Sequence, residues 1–282
     1  MNDITSLKSA KDRYPEWFEI TDFVINTLHE WIHNTSIPAP TSALQVVLHA
    51  SNIRAFNLYR SINNLLATDH WEDAAILARS MFELVLNLEE IQNEVGKEEE
   101  KARKYLRFHI LQEFLHTKTL MEYNYQTGRY GEQEFSKLKR LEKSAKVIFK
   151  EFRAKKSISG WKKSWCGSSV RQLAKNSTNP MRLPHYKIIY SFFSEFSHSG
   201  PLPVMSQILI GDTPEETQKL MNGHESSEKE HMSMVMTLST TWLLEILMRG
   251  QALIPEYDVK WNFTVLEIIY KLYGVKPPPI NI

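Results

Sequence analysis

One cysteine, Cys166, is the whole thiol content of this 282-residue chain, so no internal disulfide can form and stability must come from packing. That excludes the small disulfide scaffolds and makes a reducing, cytoplasmic setting the expected one. Glycine is scarce, at 10 residues, and no window reads as a Walker loop, a GxGxxG turn, a GxSxG elbow, an HExxH helix, an EF-hand loop or a paired-cysteine zinc site. P-loop and Rossmann nucleotide binding, serine hydrolysis and the common metal centres therefore lack support, and no cofactor or metal is expected. His29 and His33 stand four apart, a spacing that can hold a metal, but no third ligand completes a set. The opening stretch MNDITSLKSAKDRYPEW is polar where a secretory signal needs an apolar run. The most apolar segment, Met232 to Met248, carries Glu245 with several Ser and Thr, which suits a buried helix better than a membrane span. No membrane partner is expected.

What is present reads as helix. Hydrophobic residues make up 42% and charged residues 24%, ordinary values for a folded globular domain. Apolar residues recur at three and four positions over long stretches. The spacing predicts helices over 15–34, 41–66, 70–94, 97–127, 131–156, 168–176, 184–198, 213–222, 225–249 and 259–273. Pro38 and Pro40 separate the first two, Thr41 or Ser42 can cap the second, Asp69 can cap the third, and Gly96 breaks the chain before Lys97. Val204 to Ile210 could form a short strand, but it has no sheet to join. The expectation is an all-α bundle of nine or ten helices in a single domain, 1–282. Residues 1–40 form a helical extension and 41–200 the functional core.

The near-neutral total hides an asymmetry. Residues 1–96 carry 6 Lys and Arg against 13 Asp and Glu, residues 97–187 carry 22 against 9, and residues 188–282 carry 6 against 11. A basic middle third can attract a polyanion, or its helices can lie against acidic neighbours or simply face solvent.

Three segments carry polar patterns inside apolar surroundings. In the third predicted helix Glu72, Arg79, Ser80, Glu83, Asn87 and Glu90 fall in one angular stripe at about 100° per residue. Arg79 and Glu83, four apart, can pair, and Arg79 offers a planar fork to a carboxylate or phosphate. The stripe is either the wet edge of a core helix or one wall of a cleft. In HYKIIYSFFSEFSH, Tyr186, Tyr190, Ser194 and His198 recur every four residues, ending at a histidine near a helix C-terminus. His198 suits proton transfer near neutral pH, or it interacts with the last carbonyls of its helix. In the third segment Trp161 and Trp165 bracket Lys162 and Lys163, with Arg171 on a short helix beyond. Interleaved Trp and Lys can stack on a base and hold a phosphate, and the helix start at Ser168 or Ser169 adds backbone amides. The same residues could instead pin a loop to the bundle. Cys166, with no histidine partner in view, reads as inert.

The run AAILARSMFELVLNLEEI, the following basic helix with Tyr105, Arg107 and Phe108, the stretch from Trp165 to Ala174 and the Tyr186 to His198 segment together resemble an uncharacterised bacterial all-helical family. The resemblance covers roughly residues 50–200. It implies a bundle in a bacterial cytosol, with Arg79, Glu83, Arg171, Tyr190, Ser194 and His198 gathered at one site, and it supplies no reaction. A more distant likeness is to the HEPN helical domains, many of which are metal-independent ribonucleases of toxin and phage-defence systems. Their mark is an Arg followed four to six residues later by a His, which Arg103 and His109 satisfy, although 12 Arg and 10 His give roughly one such match by chance. The positions that would precede His198 are Ser191, Phe192 and Phe193, so there the phosphate-holding Arg would come from elsewhere, such as Arg79 or Arg171.

Two functions follow as expectations. One is an RNA- or nucleotide-acting effector, for example a metal-independent ribonuclease. In it His198, Arg79 and Glu83 are catalytic, while Arg171, Trp161, Lys162, Lys163, Trp165, Tyr186, Tyr190 and Ser194 bind phosphate or substrate. The other is a non-enzymatic ligand-binding or protein-interaction module, such as a homodimer, in which the same residues form buried hydrogen-bonded networks.

Overall fold

The structure, a computed structural model, describes residues 9–34, 39–154, 157, 159–192, 213–251, 261, 264–265 and 267–268. Among these residues the chain is all-α: α1 Ala10–Arg13, α2 Pro15–Asn34, α3 Ala43–Ala67, α4 Trp71–Gln92, α5 Glu98–Gln126, α6 Glu132–Ile148, α7 Val170–Asn176, α8 Arg182–Lys187 and α9 Pro214–Arg249. A 3-10 turn at Lys150–Phe152 follows α6, and the π-turn Ile188–Phe192 continues α8. Among the described residues there is no strand, only an isolated bridge between Arg153 and Trp161. The Val204–Ile210 segment, the end of the predicted 184–198 helix and most of the predicted 259–273 helix lie outside the described residues.

Local chemistry explains most boundaries. Ser42 caps α3 by accepting from the Gln45 amide at 3.2 Å, and Gly96 takes the left-handed φ of 86° that stops the chain before α5. Asp69 does not cap α4 as its type suggests. It sits at φ 64° and turns its carboxylate to the Ala10 amide, 3.0 Å away, and to Arg13, fixing α1 on the end of α3. The start of α4 has Glu72 and Asp73 beside its positive end instead. The predicted helices 213–222 and 225–249 are one: α9 runs unbroken for 36 residues from its Thr213 cap, through Gly223. One glycine costs a helix only about 1 kcal/mol, which the packing further along α9 exceeds.

α3, α4 and α9 form the centre, where Tyr59, Ile62, Leu66, Met81, Phe82, Val85, Trp242, Leu243 and Ile246 are buried. α2 covers one side of α3 through Phe18, Val24 and Leu28. The first half of α5 packs on α3 and α4 through Ala102, Phe108 and Leu111, while α6 folds back along α5. Apolar burial of this extent is the main source of stability, at about 1.5–3 kcal/mol per fully buried large side chain. Several polar groups inside are paired, such as the Tyr59 and Thr240 hydroxyls at 2.9 Å and Thr21 donating to Asn63 at 2.6 Å. Burial holds the Tyr59 phenol far above its ordinary pKa, keeping it a neutral hydrogen-bonding partner.

Candidate functional site

A groove of about 1380 Å³ opens between α3, α4, α5, the 153–169 loop and α7. Its apolar floor is Val47, Leu84, Leu86, Leu106 and Leu173, its cations are Arg54, Lys162 and Lys163, and the His109 imidazole joins them. Ser159, Ser164, Ser168 and Ser169 add hydroxyls on the loop side. The one carboxylate in the lining is Glu83.

Trp161 and Trp165 anchor the loop. Both are buried, and the Trp165 indole N–H donates to Asn87 Oδ1 at 2.7 Å while its ring meets Tyr105 edge-on at 5.6 Å. The tryptophans therefore form wall, and the lysines between them supply the reach: Lys162 is half-buried and Lys163 exposed. The chain turns back here because the Lys162 amide donates to the Phe152 carbonyl at 2.8 Å and the Ala154 amide to Gly160 at 2.9 Å. At the start of α7, the Ser169 hydroxyl accepts from the Gln172 amide and the Gln172 side chain accepts from the Ser169 amide at 2.8 Å. This capping box occupies amides that the sequence suggested were free for an anion. Arg171 is exposed on α7 and joins neither the groove lining nor the Arg79 cluster.

At the Glu83 edge the predicted pair is present. Arg79 Nε donates to Glu83 Oε1 at 3.3 Å, and the Tyr190 hydroxyl donates to the same oxygen. The guanidinium carbon of Arg79 lies 4.0 Å from the centre of the Tyr190 ring, which stacks on Tyr186 with centroids 4.6 Å apart. Burial, then the bond to Glu83, push the Tyr190 phenol up, so it stays protonated as a donor. Partial burial works against the Arg79 charge, but Tyr190 and Glu83 outweigh it and hold its pKa above the ordinary value. The structure thus joins Arg79, Glu83, Tyr186 and Tyr190 across α4 and the end of α8, with Glu83 shared with the groove. Ser194 and His198 lie outside the described residues. Arg103 and His109 do not act as a pair: Arg103 bonds Glu99 at 3.0 Å, His109 meets Glu113 at 3.4 Å, and only His109 reaches the groove.

The sequence reading missed a second charged centre. Arg182, 1% exposed, donates through Nε and Nη2 to Glu89 at 2.8 and 2.6 Å and also bonds Glu245. Arg249 reaches Glu89 at 3.4 Å and Gln92 at 3.0 Å, and the Ser177 hydroxyl donates to Glu89 at 2.9 Å. Burial opposes the Arg182 charge, but Glu245 and Glu89 overcome it and raise its pKa, whereas burial prevails at Arg249 and lowers it. His185 sits edge-on to Phe82 and Trp242 beside this centre, and burial with the nearby Arg182 charge pushes its pKa down to about 4. The signal for this network was Glu245 itself, since a carboxylate in the most apolar stretch of the chain requires a buried cation. Of the groove residues, Asn87 belonged to the polar stripe of the third predicted helix, whereas Arg54 carried no comparable signal.

Among the described residues no helix is long and apolar enough to cross a membrane, and no three His, Cys, Asp or Glu are grouped to hold a metal ion. No curated protein and no solved structure matches the chain. Residues 45–215, which contain the groove, the Arg79 cluster and Arg182, match a family of unknown function (DUF5677), and the chain belongs to that family.

Proposed function

We propose that the chain is an RNA- or nucleotide-acting helical protein whose ligand lies in the groove between α3, α4, α5 and the 153–169 loop. The observation that carries this reading is the balance of charge in the lining: Arg54, Lys162 and Lys163 against Glu83, whose carboxylate is already engaged by Arg79 and Tyr190. Cations over an apolar floor, with Tyr105, Phe108, Trp161 and Trp165 elsewhere in the lining, suit a ligand that combines phosphates with flat rings. The volume of about 1380 Å³ exceeds the roughly 300–1,000 Å³ of ordinary small-molecule pockets, which favours a short single-stranded segment over one nucleotide. In this reading Lys162, Lys163 and Arg54 hold phosphates, Arg79 and Glu83 position the strand at one end, and His198 transfers the proton in any cleavage step.

A binding role without turnover is favoured by one specific observation. Arg79, Glu83 and Tyr190 satisfy one another, as members of a structural network do. Incubation with labelled total RNA, with and without EDTA and beside His198→Ala, separates the two. EDTA-resistant cleavage lost in a folded His198→Ala protein supports a ribonuclease, and a gel shift of intact RNA supports binding alone. The absence of both cleavage and gel shift overturns the proposal.

A further inference from the structure

Two helix faces carry charges with no ion-pair partner among the described residues. On α6 every carboxylate is engaged: Glu132 by Tyr125, Glu134 by the Gly131 amide at 3.2 Å, and Glu142 by Lys118 at 3.2 Å and Lys146 at 3.5 Å. The outward face is left with Lys137, Arg140 and Lys143, all exposed and unpaired, interspersed with Leu141, Val147 and Ile148 at 53%, 74% and 57% exposure. On α2, Glu16, Glu19, Phe23, Asn26 and Glu30 fall within about 80° of arc at the helical step. All five are exposed, Phe23 by 52% with its ring 6.5 Å from that of Trp261, and the three carboxylates have no ion-pair partner among the described residues.

We propose that these two faces bind each other across two copies of the chain, giving a dimer held by two reciprocal α2–α6 contacts. Charge complementarity is three carboxylates against three cations, and each face sets apolar surface among its charges. At 1.5 Å per residue, Glu16 to Glu30 spans about 21 Å, while on α6 the cations from Lys137 to Lys143 span about 9 Å and the whole face to Ile148 about 16 Å, so the two faces are comparable in length only when their apolar residues are counted with the charges. A polyanion such as RNA would satisfy the three cations but leave Leu141, Val147 and Ile148 wet, whereas the α2 stripe offers Phe23 to them. α2 packs on α3 while α6 packs on α5, so the contact joins two copies rather than two parts of one. A two-fold operator that seats α2 of each copy on α6 of the other closes the assembly and uses both faces.

Sedimentation equilibrium at low ionic strength tests this, with circular dichroism as the check on folding. The full chain is expected to be dimeric. Lys137→Glu/Arg140→Glu/Lys143→Glu and, separately, Glu16→Lys/Glu19→Lys/Glu30→Lys should each raise the dimer dissociation constant by about tenfold or more, since like charges then face each other at both contacts. An equimolar mixture of the two variants should dimerise again, because each contact between unlike copies regains opposite charges. If a triple variant loses its helical signal, the single exposed changes Arg140→Glu and Glu19→Lys replace it in the same cross. A monomeric wild type, a dimer indifferent to both reversals, or a mixture that stays monomeric overturns the proposal.

Discussion

Replacing Arg182 with Met is the most informative perturbation of the buried charge centre. The guanidinium makes hydrogen bonds of 2.6 and 2.8 Å to Glu89 and further contacts to Glu245, while being 1% exposed itself. Methionine fills much of the volume but leaves two half-buried carboxylates with Arg249 as the remaining cation, 3.4 Å from Glu89. Each bond to a charged group is worth about 1.5–3 kcal/mol, but they share one side chain, and breaking a buried ion pair costs about 3–5 kcal/mol in total. We predict a loss of about 3–5 kcal/mol at pH 7, read from urea unfolding followed by circular dichroism. The deficit should shrink as the pH falls, because carboxylates deprived of their cation bind protons more readily in the folded than in the unfolded chain. Adding Glu245→Gln to Arg182→Met should recover part of the loss by removing one uncompensated charge. A loss below about 1 kcal/mol, or one that deepens on acidification, would refute the reasoning that these carboxylates depend on Arg182.

Three further outcomes follow from the same structure. His185, at about 4 in the fold against an ordinary 6.5, stays neutral while the unfolded chain takes a proton, so stability is lost as the pH falls from 6.5 through 4, by up to about 3 kcal/mol. Unfolding titrations across that range should show a shallower decline in His185→Gln. Gly250→Ala drives a Cβ against the Asn52 side chain, whose amide nitrogen and oxygen are both buried, and should cost about 1–3 kcal/mol, visible as a lower midpoint of thermal unfolding. Asn87→Ala removes the 2.7 Å acceptor of the Trp165 indole and should cost about 1–3 kcal/mol while shifting the tryptophan emission; an unchanged spectrum would contradict the buried anchor.

The helical architecture was legible because apolar periodicity is a local signal. α2, α3, α4, α5 and α7 begin and end within a few residues of the spacing-based boundaries. Where reading failed, a longer-range contact decided the outcome. Asp69 looked like a cap but is taken by Ala10 and Arg13, 56 or more positions away, and the break expected between 222 and 225 lies inside a helix anchored downstream by core packing. The Arg79–Glu83 pair was readable as an i,i+4 neighbour, and Tyr190 as a member of a polar row, but not their meeting. Arg182, Glu89 and Glu245 are separated by 93 and 63 positions, and only the oddity of a charge in an apolar run hinted at them. The groove was the least legible, since Arg54, His109 and Asn87 become neighbours of the Trp161–Trp165 loop only through the packing of α3, α4 and α5.

The central claim, that the groove holds phosphates, is tested most directly by fluorescence anisotropy of a labelled single-stranded RNA oligonucleotide against the full chain and against Arg54→Ala/Lys162→Ala/Lys163→Ala, over a range of salt. Three phosphate contacts at about 0.7 each predict a slope near −2 for log affinity against log salt in the wild type, falling toward zero in the variant with at least about tenfold weaker binding. Equal affinities and equal slopes for the two proteins would place the phosphates elsewhere and contradict the account.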